Sequence, residues 1–376
     1  MSLLWMDHEP EFRDLVETSF ECERESHPEY FADMSERVKN IIYRDTRYNI
    51  DFLYTSYALD EERIMADYAV WLFKLMDPIL KFDKSDMTAD YVVRHFECIK
   101  RAAKRVVGDD PEKLSKLAGL MSLAQERVRE CAAREPRSWT PDGDASGQPG
   151  AGTDEGFAVS AYESEIQQYM DSLMKKNTKK TIYLVRDLIE KGIPVNDVYV
   201  EILAESMRRV GELWHESKIS VDTEHYCTSV TQMAMAQMYP ELFAAERKNR
   251  TILCACPGTE LHEMGARMVA DIFENGGWDS IYLGAAVPHD AMLEAIRDNE
   301  PDLVSLSVTM PQHLIACRDL IYDIREEFPN ILIAVGGQAF RSTDGIWKQW
   351  PVDIYSVDAR EFLEKADNMI DGVNDR

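Results

Sequence analysis

From residue 250 onward, continuous apolar runs alternate with amphipathic stretches, and this alternation constrains the fold more than any other feature of the chain. The apolar runs fall at 251–256, 280–283, 303–308, 331–335 and 353–356. Helical periodicity follows at about 261–275, 289–298, 312–327, 342–349 and 359–370. Strands that are apolar on both faces belong to a parallel sheet covered on either side by helices. Five such units fit a flavodoxin-like (Rossmann-like) sheet with the order 2-1-3-4-5. Ligands of such a sheet bind at the carboxyl ends of the strands, beside the switch point between the first and third. No internal repeat is visible, and the final residues, 371–376, read as frayed.

Several chemically distinctive residues map to that rim. Glu260, His262 and Gly265 follow the first strand. Ser305, Ser307 and Thr309 lie at and beyond the end of the third, and Gly336 and Gly337 follow the fourth. A glycine at such a rim lets a flat ligand slide along the backbone without meeting a side chain.

Upstream, four helical segments are expected at about 156–174, 178–191, 195–216 and 220–238, with Gly192, Ile193 and Pro194 breaking the second from the third. The third ends near Trp214 and His215; the fourth carries Glu224 and His225. Met233, Met235 and Met238 read as core. Residues 136–155 are rich in Pro, Gly, Asp and Ser and read as a flexible linker. They separate residues 1–135, a helical bundle, from a cap at 156–247 and the sheet domain at 248–376. In the bundle, Ile50, Leu53 and Tyr57 share a helix, as do Tyr68, Trp71, Leu72 and Leu75. Val92, Phe96 and Ile99 follow, then Leu114, Leu117 and Leu120. Asp60, Ser85 and Asp110 are candidate helix starts. His95 reads as a partly buried structural histidine in preference to a haem ligand, and Cys98 and Cys131 as core residues in preference to bilin attachment sites.

Charge and cysteine usage narrow the function classes. The net charge of −26 comes from 68 acidic and 42 basic residues, which disfavours direct DNA binding by the whole chain. No segment approaches the about 18 apolar residues of a membrane helix. The start of the chain lacks a secretory pattern, so a cytoplasmic location is expected. The seven cysteines are scattered; Cys254 and Cys256 read as reduced core thiols.

Taken together, residues 160–370 resemble the cobalamin-binding fold. That family carries an Asp-x-His-x-x-Gly segment, a Ser/Thr motif after the third strand and a Gly-Gly after the fourth. By this resemblance, His262 replaces the cofactor's own benzimidazole as lower cobalt ligand. The displaced nucleotide tail passes Ser307 and Thr309 toward Gly336 and Gly337, and Gly265 lets its loop approach the corrin. Glu260 stands where the family has Asp; its carboxylate is expected to accept from the second ring nitrogen of His262 and fix the tautomer.

The helical cap is similar to that of the B12-dependent photoreceptors of the CarH, LitR and AerR kind, whose mark is Trp-x9-Glu-His. Residues 214–225 match it completely. The resemblance implies adenosylcobalamin, with methylcobalamin as a possible form. Trp214 would pack on the adenosyl group, with Glu224 and His225 lining the same pocket. His215 would be an upper cobalt ligand after light breaks the Co–C bond. The implied role is signalling rather than catalysis, through a homo-oligomer or a protein partner. DNA-binding members carry a MerR-type helix-turn-helix, whereas this chain has an acidic bundle, so direct promoter repression is not expected. The alternatives are a methyl-carrying corrinoid protein serving a methyltransferase, a phosphoacceptor receiver (which needs an Asp at the end of the third strand) and a binding module that has lost its cofactor. For the individual cap residues, a core Trp, a solvated helix start and an exposed His215 remain open.

Overall fold

The computed structural model describes residues 9–26, 28–80, 85–134 and 160–374. The expected linker at 136–155 lies outside them. The chain divides into two compact units. One comprises Met1–Phe73, Ala89–Cys131 and Ala245–Arg376; the other comprises Lys74–Thr88 and Ala132–Ala244.

In the first unit, five parallel strands form a sheet in the order β2-β1-β3-β4-β5. The strands are β1 (Thr251–Pro257), β2 (Asp279–Val287), β3 (Leu303–Ser307), β4 (Leu332–Gly336) and β5 (Ile354–Tyr355). The order is the one the alternation predicts. Ile252, Leu253, Cys254, Leu303, Val304 and Leu306 are fully buried, as strands covered on both faces must be. β2 extends to Val287, well past its expected end at 283. Its register against β1 slips after Cys254 and again after Ala255, and Gly284 and Ala286 adopt positive φ there. A bulged strand end bends away from the regular ladder.

The helices of the chain are α1 (Pro10–Ser26), α2 (Pro28–Ala32), α3 (Glu36–Leu59), α4 (Glu62–Leu80), α5 (Ser85–Val106), α6 (Pro111–Arg134), α7 (Glu163–Met174), α8 (Thr178–Glu190), α9 (Val195–Asp197), α10 (Glu205–His215), α11 (Val221–Met235), α12 (Tyr239–Leu242), α13 (Met264–Asn275), α14 (His289–Asn299), α15 (Leu314–Glu327) and α16 (Ala359–Asn374). The helix expected at 342–349 is instead two short 3-10 turns, Gln338–Ser342 and Ile346–Gln349. The terminal segment read as frayed is helical as far as Asn374.

The bundle follows the expected pattern with two differences. Pro10–Ser26 is a further helix, burying Phe12, Leu15, Val16 and Cys22. Asp60 is not a helix start; it closes α3 in the left-handed region (φ 54°), its N–H donating to Ser56 and Tyr57 carbonyls. Asp110 does cap α6, accepting from the Lys113 amide at 3.0 Å. His95 lies in the bundle core between Glu23 (3.1 Å from Nδ1) and Asn49 (2.8 Å from Nε2), a structural arrangement. Burial pushes the Cys98 thiol up to about 12. Residues 136–155 stand between bundle and sheet in sequence, yet most of the bundle clusters with the sheet in one compact unit.

The second unit holds the cap helices. Ile166, Tyr169, Leu173, Val185, Ile202, Val210 and Val230 form its interior. The third expected segment is continuous from 195 to 215 but passes through a π-helical stretch, Val198–Ala204. Met235 and Met238 are core; Met233 is exposed, contrary to expectation.

Candidate functional site

The loop between β1 and α13 turns sharply at Gly258 (φ +69°), whose N–H donates to Val287 O at 3.0 Å. Glu260 then enters the protein with its side chain fully buried. Its Oε1 accepts from His262 Nδ1 at 2.6 Å and from the His262 amide at 3.0 Å. Its Oε2 accepts from the Thr309 and Met310 amides, both at 2.8 Å, just past β3. Its carbonyl accepts from the Ala286 amide at the bulged end of β2. One residue thus ties together the ends of three strands.

The electrostatics follow from that geometry. Burial alone would raise the Glu260 carboxyl, but the His262 imidazole and the Met310 amide outweigh it and hold it at about 2. An ionised carboxylate accepting from Nδ1 places the imidazole proton there, so Nε2 carries the lone pair. The His262 side chain is 56% exposed. An oriented imidazole of this kind, backed by a buried carboxylate, is a competent ligand for a transition metal. Sequence reasoning missed the Thr309 and Met310 main-chain donors. It also missed His313, which lies buried in the turn beyond them, 3.4 Å through Nδ1 from Thr259 Oγ1. Burial pushes its imidazole below the ordinary value.

The glycines differ in what a side chain there would meet: open room at Gly265, the protein's own backbone at Gly336 and Gly337. A Cβ on Gly265 would come within 4.0 Å of Ser307 Oγ, and one on Gly336 within 3.3 Å of Ser356 O. Gly337, at φ +100°, has Val308 O 2.3 Å from where a Cβ would be, so no other residue fits. Ser307 is half-buried at the end of β3. Ser305 is buried in the sheet, opposite Cys254 and Ala334 and hydrogen-bonded to the Cys254 thiol. His262, Gly265, Ser307, Thr309, Gly336 and Gly337 therefore share one rim, with Ser305 deeper. A rim of small and hydroxyl-bearing residues beside an oriented imidazole fits a flat ligand with a metal at its centre.

In the cap, Trp214 and His215 end α10, both half-buried. A turn with Ser217 at φ 56° reverses the chain, and Glu224 lies in the first turn of α11. Since α10 packs on α11, Trp214, His215, Glu224 and His225 gather at one end of that helix pair. Glu224 Oε2 meets His225 Nδ1 at 2.7 Å, and its Oε1 accepts from Thr228 Oγ1 at 2.9 Å. Among the described residues, no cluster of three or more His, Cys, Asp or Glu is arranged to hold a metal ion, and no helix is long and apolar enough to cross a membrane.

Comparison with known proteins bears on both units. Residues 165–239 and 250–351 each match a family described as a B12 binding domain. The chain is 30% identical over 173 residues to the HTH-type transcriptional repressor CarH of Myxococcus xanthus, covering 46% of this chain and 57% of that protein. It is 21% identical to dimethylamine corrinoid protein 3 of Methanosarcina acetivorans, covering 55% of this chain and 98% of that one. Among solved structures, the monomethylamine corrinoid protein of Methanosarcina barkeri aligns with 55% of this chain and 98% of its own, at 20% identity and a TM-score of 0.48.

Proposed function

Starting from two B12 binding domains in one cobalamin-binding chain that resembles CarH, we propose that the protein is an adenosylcobalamin-dependent light sensor. The observation that carries the cobalamin part of the reading is Glu260, a buried carboxylate that fixes the His262 tautomer at a glycine-lined rim. When bound, cobalamin supplies a cobalt–carbon bond that light can break. His262 would hold the cobalt through Nε2, while Glu260 keeps the proton on Nδ1. Gly265, Ser307, Thr309, Gly336 and Gly337 would flank the nucleotide tail, with Ser305 behind them.

The Trp-x9-Glu-His pattern supports the light-sensing part. In this reading Trp214 packs on the adenosyl group, and Glu224 and His225 close the same pocket. In the same reading His215 would be the residue that holds cobalt once light has removed the adenosyl group, and a shifted cap would alter self-association or binding of a protein partner. The role is regulatory, without direct DNA binding.

A second reading, a methyl-carrying corrinoid protein serving a methyltransferase, rests on likeness to dimethylamine corrinoid proteins over nearly their whole length. An absorption spectrum of the protein loaded with adenosylcobalamin in dim red light, taken before and after green illumination, separates the two. Conversion to a new protein-bound species that His215→Ala alters supports light sensing. Binding with no conversion beyond that of free cofactor favours the methyl carrier.

A further inference from the structure

Within the unit it shares with the sheet, the bundle contacts the segments beyond β3 and β4. After α3 closes at Asp60, Glu61 is locked in place. Its amide donates to Ser56 O at 3.0 Å, and Ser56 Oγ donates to its carbonyl at 2.6 Å. This aims two charged side chains at the segment following β4. The Glu61 carboxylate, in a residue only 5% exposed, accepts from the Asp344 amide at 3.0 Å. The Arg63 guanidinium donates to Arg341 O at 2.8 Å and to Thr343 O at 3.2 Å, and contacts the Asp344 carboxylate at 3.4 Å. In addition, α3 packs against the turn Pro311–His313 and against α15.

These contacts connect to His262 in a few steps. The clamped segment 341–344 follows directly on the Gly336 and Gly337 loop. That loop interlocks with the end of β3: Val308 N donates to Gly336 O at 3.0 Å, and Ala339 N donates to Val308 O at 3.1 Å. The next two residues are Thr309 and Met310, whose amides hold Glu260. Resting on the cobalamin-binding reading above, we propose that the N-terminal bundle is a wall of the corrinoid site. In it, Glu61 and Arg63 are positioning residues that set the glycine loop and, through Val308, the amides that orient Glu260 and His262.

The physical case lies in what the clamp holds. Its targets are main-chain groups of a segment with no strand neighbour, so Glu61 and Arg63 hold in one geometry groups that water alone would leave loose. A guanidinium fork spans two carbonyls at once, which an ammonium point charge does not reproduce. A carboxylate on a backbone amide is a charge-assisted bond, stronger than a neutral one. Any change in the rim on ligand binding is therefore felt by the bundle, and linkage makes the coupling reciprocal.

The test uses the full chain and the variants Arg63→Ala, Arg63→Lys and Glu61→Gln, each checked for native helical content. Cobalamin binding is followed by absorbance, and amide hydrogen exchange is read over 308–313 and 336–344 with and without adenosylcobalamin. The proposal expects Arg63→Ala to weaken binding about tenfold and to speed exchange at 308–313, a segment Arg63 does not touch, with Arg63→Lys recovering part of both. Should Arg63→Ala fail to fold, Glu61→Gln, which keeps the shape of the side chain, carries the same expectation at smaller amplitude. Unchanged affinity and unchanged exchange at 308–313 in the folded variants would overturn it. If the wild-type chain binds no cobalamin, the functional reading falls, while exchange without cofactor still decides whether the clamp sets the turn.

Discussion

Two Glu–His pairs in this chain make almost the same contact, 2.6 Å between Glu260 and His262 and 2.7 Å between Glu224 and His225. Both histidines are more than half exposed, and the difference lies in the carboxylates. The Glu260 side chain is fully buried and serves four donors from two loops, whereas the Glu224 side chain is 26% exposed in the first turn of a helix. Glu224 also takes a Thr228 hydroxyl one turn along the same helix. The distance of a polar contact therefore says little about its worth. What decides is how many other groups depend on the carboxylate and whether water can replace it. The first pair is a structural joint that presents an imidazole; the second is a pair of adjustable side chains suited to meeting a ligand.

Removing the two carboxylates should separate the pairs most widely. Glu260→Ala leaves the Thr309, Met310 and His262 donors without their acceptor. It should destabilise the sheet unit by about 1–3 kcal/mol in denaturant unfolding. Cobalamin affinity should fall about 10–100-fold, as for other partners that orient a metal-bound histidine. A loss no larger than that of an ordinary surface substitution would erase the distinction.

Acid titration should sharpen it. The Glu260 carboxyl is depressed to about 2, below its value of about 4.3 in an unfolded chain. The stability it contributes is complete above the unfolded value and is lost as pH falls toward 2. The stability gap between wild type and Glu260→Gln should be flat above about pH 5 and should close below about pH 4. A gap that closes near neutrality would mean that His262 protonation, rather than Glu260, governs the joint.

The smallest effect is expected at the exposed pair. Glu224→Ala and His225→Ala should each change unfolding stability by no more than about 0.5 kcal/mol. Their effect should instead appear in the spectral response of the adenosylcobalamin-loaded protein to green light. Destabilisation matching that of Glu260→Ala would contradict the comparison.

The same contrast governs what the sequence made legible. The resemblance to the cobalamin-binding fold implied the Glu260–His262 contact, with Glu standing where the family has Asp, and the structure shows the longer side chain reaching Nδ1. The partners of the second carboxylate oxygen are main-chain amides about fifty residues away, and a backbone donor leaves no mark in sequence. The five strands were readable from their unbroken apolar runs. The far end of β2 was not, since Gly284 and Ala286 form a bulge where apolar pattern carries no register. Asp60 suits a helix start and a left-handed stop alike, and only its N–H partners decide between them. The docking of Glu61 and Arg63 on 341–344 joins residues nearly three hundred positions apart, beyond the reach of any local pattern.

The central claim is that His262 Nε2 takes the lower position on cobalt. It is tested most directly by paramagnetic resonance of the protein loaded with unlabelled cob(II)alamin, prepared once with ordinary histidine and once with histidine carrying heavy nitrogen. Coordination by His262 predicts that each axial triplet in the cobalt spectrum collapses to a doublet in the labelled protein and that His262→Ala abolishes this change. A triplet that survives labelling would mean that the cofactor keeps its own benzimidazole on the metal, and it would contradict the account.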